Sequence, residues 1–228
     1  MSLGKKIGIL YLLVAVLAPF TMLYVPSLLF VPDDIISTVN NIANNEMLFR
    51  ASIAIGTVVC IIEIVLTAFI YRLFKSVNRT LSLAAAFARL SMVTIQGINI
   101  IFRLLTIAPN NSEISQLLGE KGVAAFTALM IDAHDFGVYA WQLFFGLHLI
   151  ILGSLILKSD FIPKLFGYLI LISSLGYLAD SYVGILLPTN SFAATIVSGL
   201  LLISTVGEVT FMLWLLFRGN NIKVDMSG

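Results

Sequence analysis

The chain has 228 residues, of which 59% are hydrophobic and 11% charged, with a formal net charge of +1 and a mean hydropathy of +1.03. Soluble domains carry about 25% charged and about 45–50% apolar residues, so this composition excludes a soluble enzyme, a nucleic-acid binder and a disordered chain and leaves an integral membrane protein. The single cysteine, Cys60, lies inside an apolar run, which excludes an intrachain disulfide and a cysteine-based metal cluster.

Six apolar stretches follow in chain order: Ile7–Phe30, Met47–Phe74, Leu81–Ile107, Phe136–Leu157, Ile162–Leu187 and Phe192–Phe217. Each is long enough to cross a hydrocarbon core of about 30 Å as a helix rising about 1.5 Å per residue. None shows the short alternating pattern of a transmembrane barrel strand. The expected fold is therefore all-α, a single six-helix transmembrane bundle over residues 1–228. The first stretch follows Lys5 and Lys6 but runs well past the 7–15 residues of a signal-peptide core, and no small-residue cleavage site follows it. It reads as an uncleaved span, bent at Pro19, where the ring removes a helical hydrogen bond. Between the third and fourth stretches, residues 112–135 contain a short apolar piece, Ala124–Ile131, closed by Asp132-Ala133-His134-Asp135. This segment either lies as an amphipathic piece at the outer interface or extends the fourth helix into the outer aqueous layer, and the second is favoured because nothing between Val123 and Phe136 breaks a helix.

Orientation follows from the basic residues. Lys5, Lys6, Arg72, Lys75, Arg79, Lys158, Lys164, Arg218 and Lys223 fall on one side of the six spans, and Lys121 alone flanks the other. Basic residues stay cytoplasmic, so both termini are expected inside, with 31–46, 108–135 and 188–191 outside.

The informative residues are the polar ones that lipid does not tolerate. Arg50, Arg89, Arg103, Glu63, Gln96, Asn99, His148, Asp180 and Glu208 all lie inside spans. A charge at a helix centre costs about 2.5–3.5 kcal/mol on insertion scales, so these side chains should face one another or a wet cavity. Arg89, Gln96, Asn99 and Arg103 share one stripe of the third helix by their spacing. Small and hydroxylated residues mark the faces of the carboxylates: Gly56, Cys60 and Thr67 around Glu63, Ser173 and Gly176 near Asp180, Ser204 and Thr205 near Glu208. The expected site is a cluster of His148, Asp180 and Glu208 between helices four, five and six, joined by Glu63, Gln96 and Asn99. Arg50, Arg89 and Arg103 serve as its ion-pair partners, and Asp132, His134 and Asp135 form an outer edge.

Three uses of such a cluster compete. The first is a site that binds or transports a small molecule or an ion. The second is an intramembrane metal-dependent hydrolase with His148, Asp180 and Glu208 as ligands. That set is poor in histidine for a catalytic zinc, and His134 lies 14 residues, about 21 Å, along the helix from His148. The third is a structural ion-pair network, because three arginines balance Glu63, Asp180 and Glu208 in charge. No nucleophile motif is present, no cofactor is evident, and the bilayer is the one certain partner.

Several runs carry a resemblance. These are Asn45-Glu46-Met47-Leu48-Phe49-Arg50, Phe145-Gly146-Leu147-His148 through Gly153, Lys158 through Lys164, Gly176-Tyr177-Leu178-Ala179-Asp180-Ser181, and Gly207-Glu208 with Leu213-Trp214. Together they resemble a bacterial family of multi-span membrane proteins catalogued as domain of unknown function 4386, over nearly the whole chain to Arg218. The resemblance implies a bacterial inner-membrane protein, supplies no activity, and sets Arg50, His148, Asp180 and Glu208 within the family's motifs.

Overall fold

The structure, a computed structural model, describes residues 1–110 and 112–222. Among them there is no strand, and six helices are long and apolar enough to cross a membrane. The first span is α1 (Leu3–Pro19), a π-helical turn (Phe20–Tyr24) and α2 (Val25–Leu29). Pro19 sits where α1 gives way to the π turn, so the chain bends without leaving the helical path. The other spans are α4 (Glu46–Phe74), α5 (Arg79–Leu105), the second part of α6 (Ser112–Lys158), α7 (Lys164–Leu186) and α8 (Ser191–Arg218). Of the basic residues used for orientation, Lys223 lies outside the described residues.

Residues 31–46 are more than a loop, because they contain α3 (Ile35–Asn44). Its start is a side-chain cap: the Asp34 carboxylate accepts from the Ser37 N–H at 2.9 Å and the Ser37 hydroxyl at 2.6 Å. The hydroxyl bond first, and the backbone bond second, hold the Asp34 carboxyl below its ordinary range. The helix then buries Ile42 against Val25, Leu29, Phe49 and Ile107, which folds α3 over one end of the bundle.

In α6 the helix runs through residues 120–158 without interruption, after a kink at Gly119, whose φ of 64° suits glycine. That run rises about 58 Å, close to twice a hydrocarbon core. Its first half therefore stands beyond the spans and packs against α3 and the turn Ala108–Asn110.

The spans form a closed ring. The first span packs on α4, α4 on α5, α5 on α6, α6 on α7, α7 on α8, and α8 returns to α1. Glycines allow the closure. A Cβ on Gly8 would meet the backbone of Leu215 and Leu216, and one on Gly4 would meet the Gly219 backbone. The Ser2 hydroxyl also donates to the Gly219 carbonyl at 2.6 Å. The half of the ring nearest the termini is packed solid by Leu66, Leu73, Leu152, Leu155, Phe211 and Leu215 with their neighbours. The other half is not.

Candidate functional site

Where the packed half ends, one buried arginine joins the ring together. Arg89 on α5 is 1% exposed. Its Nε and Nη2 donate to Glu63 Oε2 on α4 at 2.8 and 2.6 Å. Its Nη1 lies 3.3 Å from the Tyr11 hydroxyl on α1 and 3.0 Å from His148 Nε2 on α6. The guanidinium also lies over the rings of Tyr11 and Phe145, at 5.2 and 5.6 Å. His148 is fully buried, and its Nδ1 sits 2.9 Å from the Ala85 carbonyl. A carbonyl only accepts and a guanidinium only donates, so this arrangement suits the neutral ring with its proton on Nδ1 and its Nε2 lone pair toward Arg89. Tyr11, Glu63, Arg89, His148 and Glu208 each lie 8–11 residues from the terminus-side end of their span, which makes them one layer.

Beyond this layer the ring is hollow. A cavity of about 330 Å³ runs from Glu63, Arg89 and Glu208 past Gln96 and Asn99 to Thr21, Arg103 and His134. Its walls come from all six spans. Three buried side-chain oxygens among the described residues have no hydrogen-bond partner, Gln96 Oε1, Asn99 Oδ1 and Glu208 Oε1, and all three residues line this one cavity. Asn99 is held in place by Nδ2, which donates to the His134 carbonyl at 3.1 Å, and by Gly137, where a Cβ would fall on the amide. Tyr177 on α7 and Glu208 on α8 both line the cavity.

The cavity also reaches the surface of the ring. Its exposed lining residues, Ala15, Pro19, Met22, Thr205 and Val209, all belong to the first span and α8. These two helices are fastened at the terminus end by Gly4, Gly8 and Gly219. Away from that end, the seam between them opens the cavity toward the side of the bundle.

The family described as "Domain of unknown function (DUF4386)" matches the chain over residues 7–219, which reaches into all six spans. The chain belongs to that family. An uncharacterized protein of Archaeoglobus fulgidus is 32% identical over 131 residues, 55% of this chain and 76% of that protein. No solved structure matches the chain.

In this DUF4386 chain the sequence-expected residues separate into three groups. Arg89, Gln96, Asn99, Arg103, Glu63, Glu208 and His134 line the cavity. His148 stands behind Arg89 rather than in the cavity, with both ring nitrogens occupied. Asp180 is outside the cavity lining, on the helix whose Ser181 donates to the Tyr139 carbonyl of α6 at 2.9 Å and whose Gly184 packs on the Tyr139 ring. The expected convergence of His148, Asp180 and Glu208 on one space is thereby corrected: only Glu208 faces it. Among the described residues no three His, Cys, Asp or Glu side chains come together to hold a metal ion.

The arginines also differ from one another. Arg50 is exposed and pairs with Glu46 one turn away at 2.7 Å, so it does not serve the buried cluster. Arg103 has no carboxylate within 4.0 Å among the described residues. It stacks on Phe30 and Phe49 and reaches the Thr21 carbonyl in the π turn at 3.5 Å. Asp132 and Asp135 are exposed at this end, with Asp135 3.3 Å from His134 Nδ1. Sequence reasoning missed Tyr11, because a tyrosine in an apolar span carries no signal to tell a lipid-facing ring from a buried one.

Proposed function

We propose that the chain is a membrane-embedded binding protein that holds a small molecule in the centre of its ring and exchanges it through the α1–α8 seam. The observation that carries this reading is the gathering of three unpartnered buried oxygens around one cavity. A buried polar atom left unpaired costs about 1–3 kcal/mol, and a bound molecule that supplies donors recovers that cost. A purely structural network would match its charges, whereas Glu208 and Arg103 have no ionic partner among the described residues. A metal-dependent hydrolase is disfavoured by the separation of His148, Asp180 and Glu208. The solid packing below Arg89 favours binding over an open pore. The basic residues favour a cytoplasmic location for the terminus side, in a cytoplasmic membrane.

Cys60 and Gly56 both line the cavity, and a Cβ on Gly56 would meet nothing within 4 Å. This gives a direct test in phosphatidylcholine nanodiscs. N-Ethylmaleimide should label Cys60, 1-octanol should slow the labelling, and Gly56→Phe, which fills the cavity, should slow it by about tenfold, the equivalent of 1.4 kcal/mol. Rates that respond to neither octanol nor Gly56→Phe would overturn the reading.

A further inference from the structure

The unpartnered buried atoms at the cavity are all of one kind. The three unpartnered atoms, Glu208 Oε1, Gln96 Oε1 and Asn99 Oδ1, are all acceptors. The guanidinium in the layer of Glu208 is already engaged. Arg89 gives Nε and Nη2 to Glu63, and its Nη1 faces Tyr11 and His148. The charge of Arg89 is thus matched by Glu63, and Glu208 is left in the same layer with no cation within 4.0 Å among the described residues. Arg103 cannot supply one, since it lies 14 residues, about 21 Å, along α5 from Arg89.

The neighbours of Glu208 favour a positive charge of a particular kind. Trp141, Phe145 and Tyr177 line this end of the cavity and form one aromatic cluster, with ring centroids 4.8 Å apart for Phe145 and Tyr177, 6.2 Å for Trp141 and Phe145, and 6.4 Å for Trp141 and Tyr177. Aromatic faces attract organic cations. The three acceptors do not converge on a point. Glu208 is 10 residues from the terminus-side end of α8, whereas Gln96 and Asn99 are 17 and 20 residues from that of α5. They are therefore spread over about 10–15 Å along the bundle axis, too far apart to hold one metal ion. Between them the wall is apolar, with Val14, Ala18, Met92, Val209 and Met212.

Resting on the binding reading above, we infer that the ligand is an organic ammonium ion with an apolar body. Its charged nitrogen sits on Glu208 beside Trp141 and Tyr177, and its body lies along the first span and α8 toward the seam. The amide of Gln96 takes any further donor the ligand carries.

The test compares three eight-carbon probes, octylammonium, 1-octanol and octanoate, as protectants of Cys60 against N-ethylmaleimide. The protein is held in phosphatidylcholine nanodiscs, with each probe expressed as its bilayer-bound concentration. Octylammonium should protect at a concentration at least about tenfold below the other two, the worth of one charge-assisted hydrogen bond. Glu208→Gln should abolish that preference while octanol still protects, which also shows that the variant is folded. Glu208→Asp should retain part of it. Equal protection by all three probes, or a preference that survives Glu208→Gln, overturns the ammonium assignment and leaves the binding reading standing. Labelling that no probe slows overturns both.

Discussion

Replacing Arg89 by leucine should be the most damaging single substitution in the ring. The guanidinium is 1% exposed and supplies both hydrogen bonds that Glu63 Oε2 receives. Its loss strands a buried carboxylate, which costs about 3–5 kcal/mol when one partner of a buried pair is removed. The Nε2 of His148 loses its donor as well, and an unsatisfied buried acceptor costs about 1–3 kcal/mol. These costs overlap, so Arg89→Leu is expected to lower stability by about 4 kcal/mol, near a thousandfold in the folding equilibrium. Removing the stranded charge should restore much of this. Arg89→Leu with Glu63→Leu is expected to lie about 1–2 kcal/mol below the wild type, the residue being the unpaired His148 and Tyr11 groups. The assay is reversible denaturation in bicelles followed by tryptophan fluorescence, arranged as a double-mutant cycle. An Arg89→Leu variant within about 1 kcal/mol of wild type would refute the reasoning, and so would a double variant no more stable than the single one.

Other consequences can be checked in the same system. Gly8→Leu should destabilise by about 1–3 kcal/mol or prevent folding, because its Cβ meets backbone rather than a yielding side chain, whereas Gly56→Leu points into open space and should be tolerated. The hydroxyls of Ser173 and Ser204 each lie within hydrogen-bonding distance of the other's carbonyl, at 3.1 and 3.0 Å, and share their single proton with a carbonyl of their own helix at 3.0 and 2.9 Å. A Ser173→Ala/Ser204→Ala cycle should give a coupling of about 0.6 kcal/mol and no more than about 1.7, as interhelical bonds between membrane helices do. The Asp34 carboxyl is held below its ordinary range in the fold, so its cap on α3 is present above the unfolded pKa and lost as pH falls through the folded one. Amide exchange at Ser37 should accelerate in that acidic window, and Asp34→Ala should show the fast rate already at neutral pH.

The fold was legible wherever charge was scarce. Six apolar runs separated by polar turns leave little choice of element, and the cavity stripe on α5 could be read from the spacing of Arg89, Gln96, Asn99 and Arg103 alone. What could not be read is which stripe meets which. His148 and Arg89 are 59 residues apart, and nothing local says that an arginine will donate to an imidazole rather than pair with Asp180. Asp180 was misassigned because phase within one helix places a face without naming the neighbour it turns toward. Tyr177 and Asp180 are three residues apart on α7, yet Tyr177 lines the cavity and Asp180 does not. Ring closure escaped for the same reason, since Gly4 and Gly8 acquire their meaning only from contact with Leu215, Leu216 and Gly219 at the far end of the chain. The helix α3 did carry a local signal, the aspartate cap at Asp34 with Ser37 three residues on.

The central claim, a ligand cavity inside the ring that is reached from its side, turns on the one native cysteine. Cys60 lines the cavity, and the exposed part of the lining lies on the seam between the first span and α8. The deciding measurement compares labelling of Cys60 in nanodiscs by bilayer-soluble N-phenylmaleimide and by a membrane-impermeant stilbene-disulfonate maleimide. The account predicts labelling by the first and none by the second. Labelling by the impermeant reagent would move the opening to a water-facing mouth, and labelling by neither would mean that the ring is closed.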